Sequence, residues 1–211
     1  VAVSGSTYVA VGVADGTDAY VITSTNASSW TESSNPRNFD LQAVDANGAV
    51  VVAGGANDGT DAYLVRSTNN GSTWSEISNS SVGGSQQIRG VTYCLLGGVW
   101  ILVGQAGGSN SSYILRSTDN GASFSEISVP DIGQLKSVVE LPDTGRLLAL
   151  RLNSGNQFLY SDNTGVSWSV GNFPASNGIT DSIRLPHGAL LLSDFLSYYT
   201  EDGSNFYGIP N

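Results

Sequence analysis

Short runs of alternating apolar and polar residues recur along the chain, each bounded by Gly, Asn, Asp or Ser. The clearest apolar segments cover residues 8–11, 50–53, 100–103 and 147–150. Alternation with a period of two is typical of β-strands, and no window of 11 residues holds the 3.6-residue period of a helix. The pattern therefore predicts an all-β fold.

One eight-residue segment recurs as a serine, an Asn or Asp two residues later, a glycine and a closing aromatic. The residues at these positions are Ser67, Asn69, Gly71 and Trp74; Ser117, Asp119, Gly121 and Phe124; and Ser161, Asn163, Gly165 and Trp168. A shorter copy ends at Trp30 and a divergent copy ends at Phe206. The closing aromatics lie roughly 40 to 50 residues apart, which is the period of a four-stranded propeller blade. Five copies predict five blades.

We therefore predict a single β-propeller domain over residues 1–211. Its five four-stranded blades cover about 1–34, 35–80, 81–129, 130–172 and 173–211. In each blade the first strand is innermost, and the repeated segment is the turn between the third and fourth strands. The serine and the Asn or Asp are expected to bond backbone N–H groups, and the glycine to supply a positive φ. The aromatic should pack beneath the turn, and blades one and five should meet through side-chain packing without a shared strand.

This Ser-x-Asp-x-Gly-x-x-Trp hairpin resembles the Asp box of sialidases and other bacterial neuraminidase repeat propellers. Strands ending in Val-Ala-Val-Gly (residues 9–12) and a turn reading Ser-Thr-Asp-Asn-Gly (117–121) also look like repeat proteins of bacteriophage virions and bacterial surfaces. The resemblance implies a propeller with these turns at the blade periphery. For a sialidase it would further imply an arginine triad, a Tyr/Glu nucleophile pair and an acid/base Asp.

The arginines do not reproduce that catalytic set. Arg66 and Arg116 occupy one repeat position just before the turn, which favours a structural role. Arg184 lies in an Ile-Arg-Leu-Pro segment similar to the sialidase Arg-Ile-Pro element, but in the last blade instead of before the Asp boxes. No recognisable Tyr/Glu pair or acid/base loop accompanies it. We therefore predict a noncatalytic protein.

A glycoside hydrolase remains the alternative, because such enzymes use two carboxylates that different blades can bring to the central channel. Four acids fall on or near innermost strands: Asp40, Asp45, Glu140 and Asp181. The lone histidine, His187, is predicted to lie in a surface turn. The single cysteine, Cys94, is predicted to be a buried thiol.

A loop reading Asp-Gly-Thr-Asp-Ala-Tyr occurs twice, at residues 15–20 and 58–63. Two carboxylates are too few for a Ca²⁺ cage of six or more oxygens, so we predict no metal site, and no cofactor. The 8 Lys and Arg residues stand against 18 Asp and Glu, giving a net charge of −10. This balance argues against nucleic acid and anionic membranes as partners. No apolar run approaches the ~18 residues of a spanning helix, which argues against membrane insertion.

One set of polar residues follows the first aliphatic residue of the innermost strands: Gln42, Arg89, Lys136 and Asp181. We expect these side chains to form a mixed polar ring at one mouth of the channel, where ligands commonly bind. The sequence thus favours a noncatalytic binding or structural module on a virion or extracellular surface. Its expected partners are other protein chains of that assembly and a glycan.

Overall fold

The computed structural model describes residues 1–14, 16–17, 20–33, 36–77, 85–107, 111–152, 155–174, 179–193 and 196–210. These residues form five four-stranded antiparallel sheets arranged as a β-propeller, which confirms the predicted fold. In the described part of the chain no helix is long and apolar enough to span a membrane.

Each sheet is a meander in which consecutive strands pair. The first sheet comprises β1 (Ala2–Ser4), β2 (Thr7–Val11), β3 (Val21–Ser24) and β4 (Thr31–Glu32). The second comprises β5 (Leu41–Asn47), β6 (Val50–Asn57), β7 (Ala62–Ser67) and β8 (Ser75–Glu76). The third comprises β9 (Gln87–Cys94), β10 (Val99–Ala106), β11 (Ser111–Ser117) and β12 (Ser125–Glu126).

The fourth sheet comprises β13 (Leu135–Glu140), β14 (Leu147–Arg151), β15 (Gln157–Ser161) and β16 (Ser169–Asn172). The fifth comprises β17 (Ile179–Leu185), β18 (Gly188–Ser193), β19 (Leu196–Thr200) and β20 (Tyr207–Pro210). The first strands of successive sheets lie beside one another, so they surround the centre of the molecule.

The core is divided among interfaces between neighbouring sheets. One buried apolar cluster joins the first and second sheets, another the second and third, another the third and fourth, and another the fourth and fifth. In β10, Trp100 and Leu102 face the second sheet whereas Ile101 and Val103 face the fourth. Both sides of this strand are buried, which explains why its sequence is a continuous apolar run.

The repeated turns have the hydrogen bonds expected from their sequence. In the second sheet the Gly71 N–H donates to Ser67 Oγ (2.9 Å) and the Thr73 N–H donates to Asn69 Oδ1 (2.9 Å). The glycine has a φ of 80°, and the preceding Asn70 also has a positive φ of 57°. The sequence did not indicate this second left-handed residue, which Ala27, Asn120 and Thr164 repeat in the other turns.

The closing aromatics pack as predicted in the interior sheets. Trp168 and Phe124 are buried, and the Trp168 Nε1–H donates to the Gly165 carbonyl (3.2 Å). Trp30, in the first sheet, is 39% exposed. The expectation that every closing aromatic packs beneath its turn is therefore wrong at Trp30.

The described residues show no buried apolar packing between blades one and five, which differs from the expectation. None of the buried apolar clusters of the described residues joins the first sheet to the fifth. Apolar side chains of both sheets are instead exposed, including Val3 and Ile209.

Candidate functional site

A central cavity of about 650 Å³ runs between the first strands of the sheets. Its walls come from β5, β9, β13 and β17, together with Val1, which precedes β1, and Leu95, which follows β9. Consecutive residues of each of these strands line the cavity, namely 42–46, 89–93, 136–139 and 180–184. The cavity therefore follows the innermost strands along much of their length.

A β-bulge near the start of the first strand occurs in sheets two to five. There the register with the second strand shifts by one residue, so one residue of the first strand has no partner. The unpaired residues are Gln42, Arg89, Lys136 and Thr180. All four line the cavity. Bulges redirect a side chain, and here they give four sheets one equivalent polar position at the mouth.

In the second and third sheets, glycines of the second strand allow the backbone of the first strand to approach closely beside the bulge. A Cβ on Gly55 would overlap the carbonyl oxygen of Asp40, and a Cβ on Gly104 would overlap the carbonyl oxygen of Gln87. In the second and third sheets a glycine thus accommodates the close backbone approach at the bulge. The fourth and fifth sheets form the same bulge with Arg151 and Ser193 at the equivalent position.

The register corrects one member of the sequence-predicted ring. Gln42, Arg89 and Lys136 occupy the bulge, but in the fifth sheet Thr180 occupies it and Asp181 follows. The reason is that buried Ile179, not a later residue, is the first aliphatic of β17. Asp181 still lines the same cavity, one residue further along. Ile179 was the sequence signal that would have identified Thr180.

The two cations at this mouth differ in their surroundings. Arg89 Nη2 donates to the Gln87 and Gln105 side-chain oxygens, at 3.2 and 3.0 Å, while its Nε is buried without a hydrogen-bond partner. Lys136, on the neighbouring strand β13, forms no hydrogen bond or ion pair with any described residue. The mouth therefore offers N–H donors that the described part of the protein does not use.

The opposite end of the cavity is cross-linked between sheets. Asp45 Oδ2 accepts the Tyr93 N–H (2.7 Å), and the buried Glu140 accepts the Leu95 and Leu96 N–H groups (2.8 and 3.1 Å). Arg184 Nη2 lies 3.2 Å from a Glu140 oxygen and donates to the Tyr93 carbonyl (3.0 Å). Burial raises the pKa of the Asp45 carboxyl. These charges hold sheets two to five together.

The other two candidate acids also have partners. Asp40 Oδ1 accepts the Ala14 N–H (2.9 Å). Asp181 Oδ1 accepts its neighbour Ser182 N–H (2.8 Å) and the Ser137 hydroxyl (3.5 Å). A glycosidase needs one carboxyl to protonate the leaving group and a second to attack or activate water. All four sequence-predicted acids instead accept hydrogen bonds that fix the backbone or a neighbouring sheet.

Three remaining candidates are structural or lie at the surface. His187 is exposed in the turn between β17 and β18, with Nδ1 3.2 Å from Asp143, as predicted. Cys94 is buried, and burial raises the pKa of its thiol. Asp58 accepts the Thr60 N–H (2.9 Å) and pairs with Arg37 (2.7 Å).

No group of three His, Cys, Asp or Glu side chains in the described ranges is arranged to hold a metal ion. The other copy of the Asp-Gly-Thr-Asp loop includes Asp15 and Asp18, which lie outside those ranges.

No sequence-family model matches the chain, and no curated protein matches it. Similar solved structures exist. A protein of unknown function from Dyadobacter fermentans is 15% identical with a TM-score of 0.65, covering 92% of this chain and 72% of its own. YCF48 bound to a D1 peptide is 15% identical with a TM-score of 0.62, covering 98% and 64%. The extracellular domain of the one-component system BT4673 of B. thetaiotaomicron is 12% identical with a TM-score of 0.65, covering 94% and 26%.

The chain thus spans less than two thirds of the YCF48 chain and about a quarter of the BT4673 chain. At these identities the similarity shows the propeller fold alone. The Asp-box resemblance remains an interpretation of the repeated residues.

Proposed function

We propose that the chain is a noncatalytic binding module, displayed on a virion or extracellular surface, that takes a glycan at the bulge-lined mouth of its channel. The observation that carries this proposal is the contrast between the two ends of the cavity. At one end the charged side chains bind groups of neighbouring sheets. At the other end, the bulge-lined mouth, Arg89 and Lys136 have N–H donors that no described residue accepts.

The charge distribution supports a polar or acidic ligand. Three of the 8 Lys and Arg residues line the cavity, against two of the 18 Asp and Glu residues. In a protein of net charge −10 this enrichment makes the channel far less negative than the rest of the surface. Hydroxyl and carboxylate oxygens of a glycan would accept hydrogen bonds from these free N–H groups.

A hydrolase is the weaker candidate, because it would need groups that are already occupied. Arg184, the residue similar to a sialidase arginine, pairs with Glu140 and the Tyr93 carbonyl. We expect no turnover of a fluorogenic sialoside. Turnover that Arg184→Ala abolishes in a protein still folded by circular dichroism would overturn the noncatalytic assignment.

The binding proposal is tested on a printed array of neutral and acidic glycans, followed by calorimetry with any hit. Arg89→Gln and Lys136→Gln should each weaken binding ~10-fold or more, since each removes a charge-assisted hydrogen bond. Arg37→Gln is the matched control, because it removes the same charge from a distant exposed site. Absence of any glycan hit, or equal loss in the control, would contradict the proposal.

The competing ligand class is a peptide, because one of the similar structures is YCF48 with a D1 peptide bound. A peptide library screened beside the glycans separates the two classes. The surface setting is supported by the resemblance to virion and bacterial-surface repeats and by one similar extracellular domain. Mass spectrometry of purified particles, or of the cell-surface fraction, from the source organism would test it.

A further inference from the structure

A complete row of apolar side chains crosses the outer face of the fifth sheet. Backbone register places Ile183 opposite Leu190, Leu190 opposite Tyr199, and Tyr199 opposite Tyr207. Directly paired residues point to the same side of a sheet. Ile183 is 46% exposed and Tyr207 is 60% exposed, and no residue of the row belongs to a buried cluster of the described residues.

The fourth sheet shows what such a row does when it is covered. Its equivalent row is Val139, Leu148, Tyr160 and Ser169. The fifth sheet covers that row with its other face, through the buried side chains Ala189, Leu191 and Tyr198. The outer row of the fifth sheet therefore has the composition of an interface between sheets.

The first sheet presents the matching half. Tyr8 pairs with Ser24, the first residue of the repeated turn in its sheet. The residues at the equivalent position of the other four sheets are Val51, Trp100, Leu147 and Ala189. Each of those four side chains is fully buried against the preceding sheet. Tyr8 is partly exposed, and so are its neighbours Ala10 and Ile22, which pair with each other.

These two faces are of opposite kinds. We call the face of a sheet that points towards the next sheet in chain order its following face, and the opposite face its preceding face. Every interior interface joins the following face of one sheet to the preceding face of the next. The fifth sheet exposes a following face and the first sheet a preceding face. We propose that two copies of this chain associate through them, with the fifth sheet of one copy packed on the first sheet of the other.

Association through strand edges is disfavoured by the sequence. The outermost strands β4, β8 and β12 contain two residues each, and each ends in a glutamate. β20 ends in Pro210. Short strands, charges and proline are the features that prevent edge pairing. The exposed apolar surface is on the faces, so the faces provide the contact.

A contact between unlike faces is heterologous, and this gives it a distinctive test. Tyr8→Lys disrupts the exposed face of the first sheet and leaves the face of the fifth sheet intact. Leu190→Lys disrupts the face of the fifth sheet and leaves the face of the first sheet intact. Sedimentation velocity from micromolar to near-millimolar protein should show that the wild type forms dimers and larger oligomers. Each variant alone should be a monomer, because every contact needs one face of each kind. An equimolar mixture should form a dimer and nothing larger.

Both positions are partly exposed, and circular dichroism with thermal unfolding checks that both variants fold. Tyr8→Ser and Leu190→Ser provide a second pair without added charge. Each copy carries a net charge of −10, so added salt should strengthen the association by screening repulsion. A monomeric wild type, a dimer formed by either variant alone, failure of the mixture to dimerise, or dissociation by salt would each overturn the proposal.

Discussion

The interior sheets and the two end sheets carry the same repeat but have different surroundings. In each second strand, one residue follows the residue that pairs with the first residue of the turn. It is Val52 in the second sheet, Ile101 in the third and Leu148 in the fourth, and all three are fully buried. The equivalent residue of the fifth sheet, Leu190, is partly exposed. The difference lies in the neighbour, since a residue on a sheet face is buried only when another sheet packs on that face. In a repeat protein the energy of one unit is therefore shared with the next.

One arginine contact between neighbouring sheets is found in the second and third sheets and has no equivalent in the first. Arg66 Nε donates to the Asn120 carbonyl (3.0 Å), and Arg116 Nε donates to the Thr164 carbonyl (2.8 Å). Each arginine precedes one turn and reaches the left-handed residue of the next. The first sheet has Thr23 at this position, and its hydroxyl donates to the Thr31 carbonyl of the same sheet (3.4 Å).

The largest expected effect tests the closing aromatics. Trp168→Ala removes a buried ring from the interface between the third and fourth sheets and should cost ~3 to 5 kcal/mol of unfolding free energy. Trp30→Ala, at the equivalent but exposed position of the first sheet, should cost about 1 kcal/mol or less. Chemical denaturation of both variants measures the difference. Equal losses would mean that the end sheet is packed as tightly as the interior.

The next effect tests the sheet faces directly. Leu148→Ala should cost ~2 to 5 kcal/mol, because its side chain is fully buried between the fourth and fifth sheets. Leu190→Ala, at the same repeat position, should cost about 1 kcal/mol or less when measured in dilute protein. Denaturant midpoints at two protein concentrations separate folding from association. A large loss for Leu190→Ala in dilute protein would show that the monomer itself covers this face.

A smaller effect is expected from the arginine contacts. Arg116→Ala removes a charge-assisted bond to the Thr164 carbonyl and should cost about 1 to 3 kcal/mol. Thr23→Ala, its counterpart in the first sheet, should change stability by only a few tenths of a kcal/mol. Thermal unfolding compares the two. If both variants unfold like the wild type, the Arg116 contact does not stabilise the packing of the two sheets.

The repeat was enough to predict the number of sheets, the strand order and the turn chemistry, because each depends on local residues such as Ser67 and Gly71. The register of the bulges could not be predicted, since it depends on backbone pairing between two strands, and the same bulge occurs opposite Gly104 in the third sheet and opposite Arg151 in the fourth. The tie between Arg184 and Tyr93 was equally invisible, because it joins sheets that are not consecutive along the chain. The exposure of Trp30 and Leu190 depends on the place of a repeat in the array, which its own residues do not encode.

The smallest effect concerns the turns, and it appears only in acid. The Asp119 carboxylate accepts bonds from the Ser123 hydroxyl and N–H, which lower its pKa from 3.8 to about 2. Because the folded pKa is the lower one, this carboxylate contributes stability above pH 3.8, and the contribution is lost as the pH falls towards 2. The second and fourth sheets have Asn69 and Asn163 at this position, where the amide oxygen accepts the equivalent N–H. Asp119→Asn should therefore unfold like the wild type at neutral pH.

Between pH 3.8 and 2 the wild type should lose stability more steeply than Asp119→Asn, because the variant has no proton to take up at this site. The end sheet offers the matched comparison. Asp202 occupies the same turn position in the fifth sheet, and its bonds from the Asn205 and Ser204 N–H groups also lower its pKa. Asp202→Asn should flatten the acid profile in the same direction. Thermal midpoints across this range measure both, and profiles parallel to the wild type would mean that the turn carboxylates are not held more tightly in the folded state.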